Sequence, residues 1–276
     1  MTKILYGAPA AEKLLKEAAE NIKSLKESGP CPGLKILRGG TDAACLSYEK
    51  SIAALAGRIG LPCEIISQEG VPTRENYIER LSMLAEDPEA AGILPLRPLP
   101  EGISEEDIAK LLPPMKDVDG FLAESSFFPC AAEAVIRLLE YYDIKITGKT
   151  AAVIGKGVGG AAARLLEKAG ATVTICDSKT ENIKDITRTA DIVLLCTGRA
   201  GRYGAEYFTE KTVVVDLGAG GNPKTGLPGG DGDAESLGGK VAALTPVPGG
   251  VGAVTTALLL LHTAKAALRA ADEKPE

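Results

Sequence analysis

The feature that most constrains the fold is a short apolar run, Ala151–Ile154. It leads straight into Gly155-Lys156-Gly157-Val158-Gly159-Gly160 and an amphipathic stretch, Val158–Ala169. The run reads as a strand, the stretch as a helix, and Thr172–Cys176 as the next strand. Strand, glycine turn, helix and strand make one βαβ unit, which calls for a parallel sheet. The spacing G-x-G-x-x-G fits a turn that lays a dinucleotide pyrophosphate against a helix N-terminus. The first glycine permits the tight turn, the second lets the pyrophosphate approach the backbone, and the third lets helix and strand pack closely. Asp177 ends the second strand. A carboxylate there accepts hydrogen bonds from the adenosine ribose hydroxyls and repels a 2′-phosphate, which favours NAD. Lys179 is a nearby cation able to take that phosphate, so NADP stays open. The residues expected to bind the cofactor are Gly155, Lys156, Gly157, Val158, Gly159, Gly160, Asp177, Ser178, Lys179, Cys196, Thr197, Gly198 and Pro246.

A chain of 276 residues has room for two domains. Ahead of the glycine turn, helical patterns at Ala8–Lys26, from Asp42 to Ile59 and at Arg74–Ala85 alternate with strand-like runs at Leu34–Leu37, Cys63–Ile66 and Ala91–Leu94. Alternation of this kind predicts a second α/β layer. After the turn, Ile192–Cys196, Val213–Val215 and Val241–Leu244 read as further strands, and Gly218–Gly239 as loop. Ala131–Tyr142 reads as a connecting helix. The expected architecture is α/β throughout. An N-terminal substrate domain, 1–142, is joined by a returning C-terminal helix, 251–276, that packs back on it. A Rossmann-type parallel-sheet domain occupies 143–250.

The net charge of −6 argues against a nucleic-acid partner, which needs a basic surface. The apolar stretch Val251–Leu261 is too short to span a bilayer and reads as a buried helix. No secretory leader is expected. The six cysteines form no CxxC pair and His262 is the single histidine, so no metal site is expected. Cys176 and Cys196 read as small buried apolar residues, and the set suits a reducing, cytoplasmic setting.

Several segments recur in a fixed order: Pro32-Gly33-Leu34, Ser47-Tyr48, Gly92-Ile93-Leu94 with Pro98-Leu99-Pro100, Lys116-Asp117-Val118-Asp119-Gly120, Pro129-Cys130, and Thr245-Pro246-Val247-Pro248-Gly249-Gly250-Val251-Gly252. With them the chain resembles the methylenetetrahydrofolate dehydrogenase/cyclohydrolase family. The resemblance implies a folate pocket and tetrahydrofolate derivatives as ligands. Tyr48 would border the pterin and aminobenzoyl part, and Asp119 would hydrogen-bond the guanidine-like pterin edge as a bidentate acceptor. Pro246–Gly252 would shape the wall near the nicotinamide. On this reading the substrate set is Tyr48, Arg97, Pro98, Asp119, Pro248, Gly249 and Gly250. The catalytic set is Tyr48, Asp119 and Lys50. A homodimer is also implied.

The chain departs from the family pattern where the pattern has a lysine four residues after the tyrosine: here that residue is Ile52. Leu96 stands at the usual glutamine, Ala131-Ala132 follow Pro129-Cys130 in place of Thr-Pro, and the dinucleotide loop is about two residues shorter. Lys50 lies about 200° around a helix from Tyr48. Hydride transfer from the methylene carbon needs no general base, whereas hydration and ring opening of the methenyl product require proton transfer. The expected activity is therefore NAD-dependent oxidation of 5,10-methylenetetrahydrofolate to 5,10-methenyltetrahydrofolate, with weak or absent cyclohydrolase. A bifunctional enzyme using Lys50 or Arg97 is the alternative. A non-catalytic nucleotide- or folate-sensing protein and a shikimate-type dehydrogenase are competing readings.

Overall fold

The computed structural model describes residues 1–67, 73–221 and 228–272. In chain order the elements are β1 (Lys3–Ile4), α1 (Gly7–Ser28), β2 (Gly33–Arg38), α2 (Ala43–Ile59), β3 (Cys63–Ser67), α3 (Arg74–Glu86), β4 (Ala90–Pro95), α4 (Glu105–Leu111) and α5 (Cys130–Tyr141). Then follow β5 (Thr150–Ile154), α6 (Val158–Lys168), β6 (Thr172–Cys176), α7 (Ile183–Thr189), β7 (Ile192–Leu195), β8 (Val213–Asp216), β9 (Gly220–Gly221), β10 (Pro228–Gly229), α8 (Ala234–Leu237), β11 (Ala243–Leu244) and α9 (Val251–Asp272). The chain divides into two compact units: Lys13–Cys130 with Thr256–Glu276, and Met1–Glu12 with Ala131–Thr255.

The first unit holds a parallel three-stranded sheet of order β3-β2-β4. Every residue of β4 is buried, as a parallel strand covered on both faces requires. Tyr77, Leu81 and Leu84 form the buried stripe of α3 at the spacing the sequence shows. Asp42 starts α2 by accepting from the Cys45 N–H at 3.2 Å. Thr256–Asp272 of α9 belongs to this unit and carries the buried run Leu258–Leu261. Helix α9 is long and apolar enough to cross a membrane by length and composition, more than its apolar core alone suggests. However, 72% of its most apolar window is buried, so it is a core helix here.

The second unit is a six-stranded parallel sheet of order β1-β11-β8-β7-β5-β6. Reversal of strand order on either side of β5 is the switch point of a doubly wound sheet, and ligands bind beyond the carboxyl ends of such strands. Strand β1 completes the sheet beside β11, with Lys3 opposite Ala243; two residues show no periodicity, so the sequence reading has no strand there. The stretch read as loop, Gly218–Gly239, contains the β9–β10 pair and helix α8, with residues 222–227 outside the described set. Helices α4 and α7, seven residues each, also lie below the length at which periodicity shows.

Candidate functional site

The glycine turn links β5 to α6. Gly155 has φ +115°, and a Cβ there would sit 2.3 Å from the Cys196 carbonyl oxygen, so only glycine fits. Gly157, at φ +67°, precedes α6 with no side-chain cap, which leaves the helix N-terminus to an anionic ligand. Close helix-on-strand packing falls to Gly159, whose Cβ would lie 3.0 Å from Val153 Cγ1. Around Gly160 there is open space. The G-x-G-x-x-G spacing assigns that role to its third glycine, Gly160. The shift arises because α6 begins at Val158 and turns its second residue toward the sheet.

Beyond β6, Asp177 Oδ2 pairs with Lys156 Nζ at 2.9 Å, and its Oδ1 accepts from the Lys179 N–H at 2.9 Å. These contacts, the Lys156 ammonium first, hold the Asp177 carboxyl below the usual carboxylate range. Asp177, Ser178, Lys156 and Thr197 line a cavity of about 510 Å³ together with Arg199 and Arg202. A second cavity, about 810 Å³, is lined by Lys156, Val158, Cys196, Gly198, Pro246 and the Pro248–Gly252 segment among others. Both volumes suit small-molecule sites. The Pro246–Gly252 turn is held tightly: a Cβ on Gly250 would meet Pro246 O at 2.5 Å, and Gly7 N–H donates to Gly249 O at 2.8 Å. Cys196 is half-buried rather than buried. Burial, then the nearby Asp231 and Asp216 carboxylates, push its thiol up to about 12, so it stays neutral.

Asp231 and Asp216 escaped the sequence reading, because both fall where only a strand end and a glycine-rich loop are visible. Asp231 is fully buried and accepts from the Thr197 N–H, from Thr197 Oγ1 at 2.9 Å, from Gly198 N–H at 3.2 Å and from Arg199 N–H at 2.6 Å. Asp216 accepts from the N–H groups of Gly218, Asp231 and Gly232 at 2.8, 3.1 and 2.8 Å. Burial pushes its carboxyl up to about 6 against those donors. Hydrogen bonds to a charged acceptor contribute about 1.5–3 kcal/mol each, enough to fix the loops they tie.

The other unit shows how Lys116–Gly120 works. Lys116 Nζ donates to the Ala85 and Asp87 carbonyls at the end of α3, at 2.8 and 2.7 Å. Asp117 accepts from the Leu122 N–H at 2.7 Å. Gly120, at φ +71°, has backbone of Phe128 where a Cβ would go, 2.3 Å away. Lys116, Asp117 and Gly120 thus serve the fold, and Asp119 is left facing Arg97, with Nη1 3.8 Å from Oδ2. Arg97 also stacks 4.5 Å over the Phe121 ring and lies 3.5 Å from Glu105. Desolvation outweighs Arg97 and raises the Asp119 carboxyl to about 6, although its side chain keeps 31% of its exposure. Tyr48, half-buried on α2, feels the same carboxylate. Burial first, then Asp119, pushes its hydroxyl up to about 12, against a hydrogen bond with Thr256. Behind Asp119, His262 Nδ1 lies 2.9 Å from Val118 O and 3.5 Å from Cys130 Sγ. Tyr48, Asp119 and Arg97 therefore form one cluster. Lys50 does not join it: it is exposed and makes no ion pair among the described residues. Pro98 follows Arg97 through a cis peptide bond and is exposed. Ile52 is fully buried and Leu96 nearly so, both as core residues.

Two family models match the chain. One described as "Tetrahydrofolate dehydrogenase/cyclohydrolase, catalytic domain" covers residues 5–119, and one described as "Tetrahydrofolate dehydrogenase/cyclohydrolase, NAD(P)-binding domain" covers residues 129–271. The chain belongs to the tetrahydrofolate dehydrogenase/cyclohydrolase family. A relative from Saccharopolyspora erythraea, named "Bifunctional protein FolD 1", is 39% identical over 97% of this chain and 95% of its own length. The solved bifunctional FolD enzyme of Campylobacter jejuni superposes with a TM-score of 0.91 at 32% identity, over 97% of this chain and 99% of that one. The methylenetetrahydrofolate dehydrogenase-cyclohydrolase of Trypanosoma brucei, solved with NADP and an inhibitor, gives 0.89 at 28% identity, with 99% of each chain covered. Membership makes this an NAD(P)-binding oxidoreductase family fold of one-carbon folate metabolism. Shikimate dehydrogenases share the fold at a TM-score of 0.51 and 18% identity, which supports no activity. The names of the family relatives favour the bifunctional alternative over the expectation of a missing cyclohydrolase.

Proposed function

We propose that this chain oxidises 5,10-methylenetetrahydrofolate to 5,10-methenyltetrahydrofolate with NAD(P), and that it also hydrolyses the methenyl product. The observation that carries the first activity is Asp119. It is the carboxylate of Lys116–Gly120 that does not accept from the local backbone; its side chain faces Arg97 and Cys130 and stands with Tyr48. The carboxylate accepts from the pterin N–H groups and Tyr48 borders the ring. The bound nicotinamide supplies the hydride acceptor. Gly155–Gly160, with the α6 N-terminus, would hold its pyrophosphate, while Pro246–Gly252 would shape the wall beside its reactive ring. No proton leaves in this step, so the residues act by positioning.

For hydrolysis the cation beside the folate would be Arg97, since Lys50 is exposed and makes no ion pair among the described residues. A guanidinium stays protonated, so Arg97 acts through charge and orientation and not as a base. A second reading rests on Ile52 and Leu96, apolar and buried at the family's lysine and glutamine positions: a dehydrogenase whose hydrolysis stays near the uncatalysed rate. Asp177, held ionised, supports NAD as the preferred cofactor. Lys156, Arg199 and Arg202 around the same cavity support acceptance of NADP. We assign the folate to the unit that carries Tyr48 and Asp119, Lys13–Cys130 with Thr256–Glu276, and the cofactor to Met1–Glu12 with Ala131–Thr255 rather than to 143–250 alone, in a cytoplasmic homodimer.

Two assays on one preparation test this: oxidation followed with NAD and with NADP, and methenyltetrahydrofolate hydrolysis against the blank. Oxidation together with hydrolysis that Arg97→Ala abolishes supports the bifunctional proposal. Oxidation with hydrolysis at the blank rate selects the second reading. Cofactor binding without oxidation of the folate would overturn both in favour of a sensor.

A further inference from the structure

Asp231 and Asp216 are buried carboxylates that take no part in the chemistry proposed above, yet they tie together the loops after β7 and β8 that line the dinucleotide site. Asp231 gathers the three successive N–H groups of Thr197, Gly198 and Arg199, just after β7, and the Thr197 hydroxyl. Asp216, at the end of β8, holds the Asp231 N–H and the flanking Gly218 and Gly232 N–H groups. The glycines around them leave no spare volume. A Cβ on Gly218 would lie 2.3 Å from Asp231 Oδ1, and one on Gly230 2.3 Å from Asp216 Oδ2. The residues so tied line both cavities: Thr197 and Arg199 the one with Asp177, and Gly198 and Gly218 the one with Pro246. Convergence of backbone N–H groups on a buried carboxylate fixes loop geometry that backbone propensity leaves open.

We propose that Asp231, seated on Asp216, is the positioning residue that sets the Thr197–Arg199 loop for dinucleotide binding. The proposal rests on the dinucleotide reading of the glycine turn and is independent of the folate reading. In Asp231→Asn an amide N–H faces backbone N–H donors, so the loop loses an acceptor and gains a repulsion.

The test titrates NAD and ADP-ribose into the full-length wild type, Asp231→Asn, Thr197→Val and Asp233→Asn by calorimetry, with KM and kcat measured alongside. Asp233 caps α8 through the Ser236 N–H and lines neither cavity, so it is the comparator. Asp231→Asn is expected to weaken both ligands and to raise KM for NAD about tenfold or more, with kcat at saturating NAD within about twofold. Hydrogen exchange should quicken at Gly198 and Arg199. Thr197→Val removes only the hydroxyl donor and should shift affinity the same way by several-fold; it decides the matter if Asp231→Asn does not fold. Unchanged affinity in Thr197→Val and in folded Asp231→Asn, or an equal loss in Asp233→Asn, would overturn the proposal. Wild type that binds NAD but does not oxidise the folate would sink the folate reading and leave this one standing. Wild type that binds neither ligand would sink both.

Discussion

Asp119 was legible as a candidate from Lys116–Gly120, but its surroundings were not. Only the contacts of Lys116 and Asp117 with α3 and Leu122 show that the fold uses those charges on the backbone and turns Asp119 toward Arg97 and Cys130 instead. Its carboxyl, raised from 3.8 to about 6, is ionised near neutrality and protonated below. A protonated acid loses an acceptor for the pterin N–H groups. KM for the folate should therefore rise about tenfold per pH unit below pH 6. Asp119→Asn should raise KM on the order of 10- to 100-fold and flatten that profile between pH 5 and 8. Stability moves the other way. With its folded pKa above the unfolded one, this group binds more protons in the native state between about pH 4 and 6, so acid favours the fold there. Loss of activity at pH 5 without loss of the thermal transition would separate the two effects.

Helix α4 shows where element-level reading stops. It spans seven residues, too few for periodicity, yet Ser104 and Asp107 form a complete capping box with bonds of 3.1 and 3.0 Å. Ser104→Ala should cost about 1 kcal/mol in urea denaturation and leave KM for both substrates unchanged, since Ser104 lines neither dinucleotide cavity. The longer elements were legible to within about one or two residues at each end. β4, β5 and β7 are near-continuous apolar runs, as buried parallel strands must be. Strand β1 was not, because two residues become a strand only through a neighbour contributed by residues 243–244.

At the scale of the molecule, α9 carries the largest apolar commitment, and its middle is buried in the unit that holds Tyr48 and Asp119. Leu260 is fully buried. Leu260→Ala should cost about 2–5 kcal/mol by the transfer and cavity terms, read as a lower urea midpoint at an unchanged m-value. An acidic chain of net charge −6 nonetheless gathers Lys156, Arg199 and Arg202 around one cavity, as an anionic ligand requires.

Sequence by itself determined the parallel-sheet class, the glycine turn, the buried C-terminal helix and the family resemblance, because these depend on short-range sterics, hydrophobic period and contiguous motifs. Tertiary structure decided that Gly159 takes the close helix packing and that Arg97 faces Asp119 while Lys50 points to solvent. It also brought Asp231 onto a loop 34 residues earlier in the chain. Those outcomes depend on where separate segments meet, and a meeting between distant residues leaves no local spacing to read.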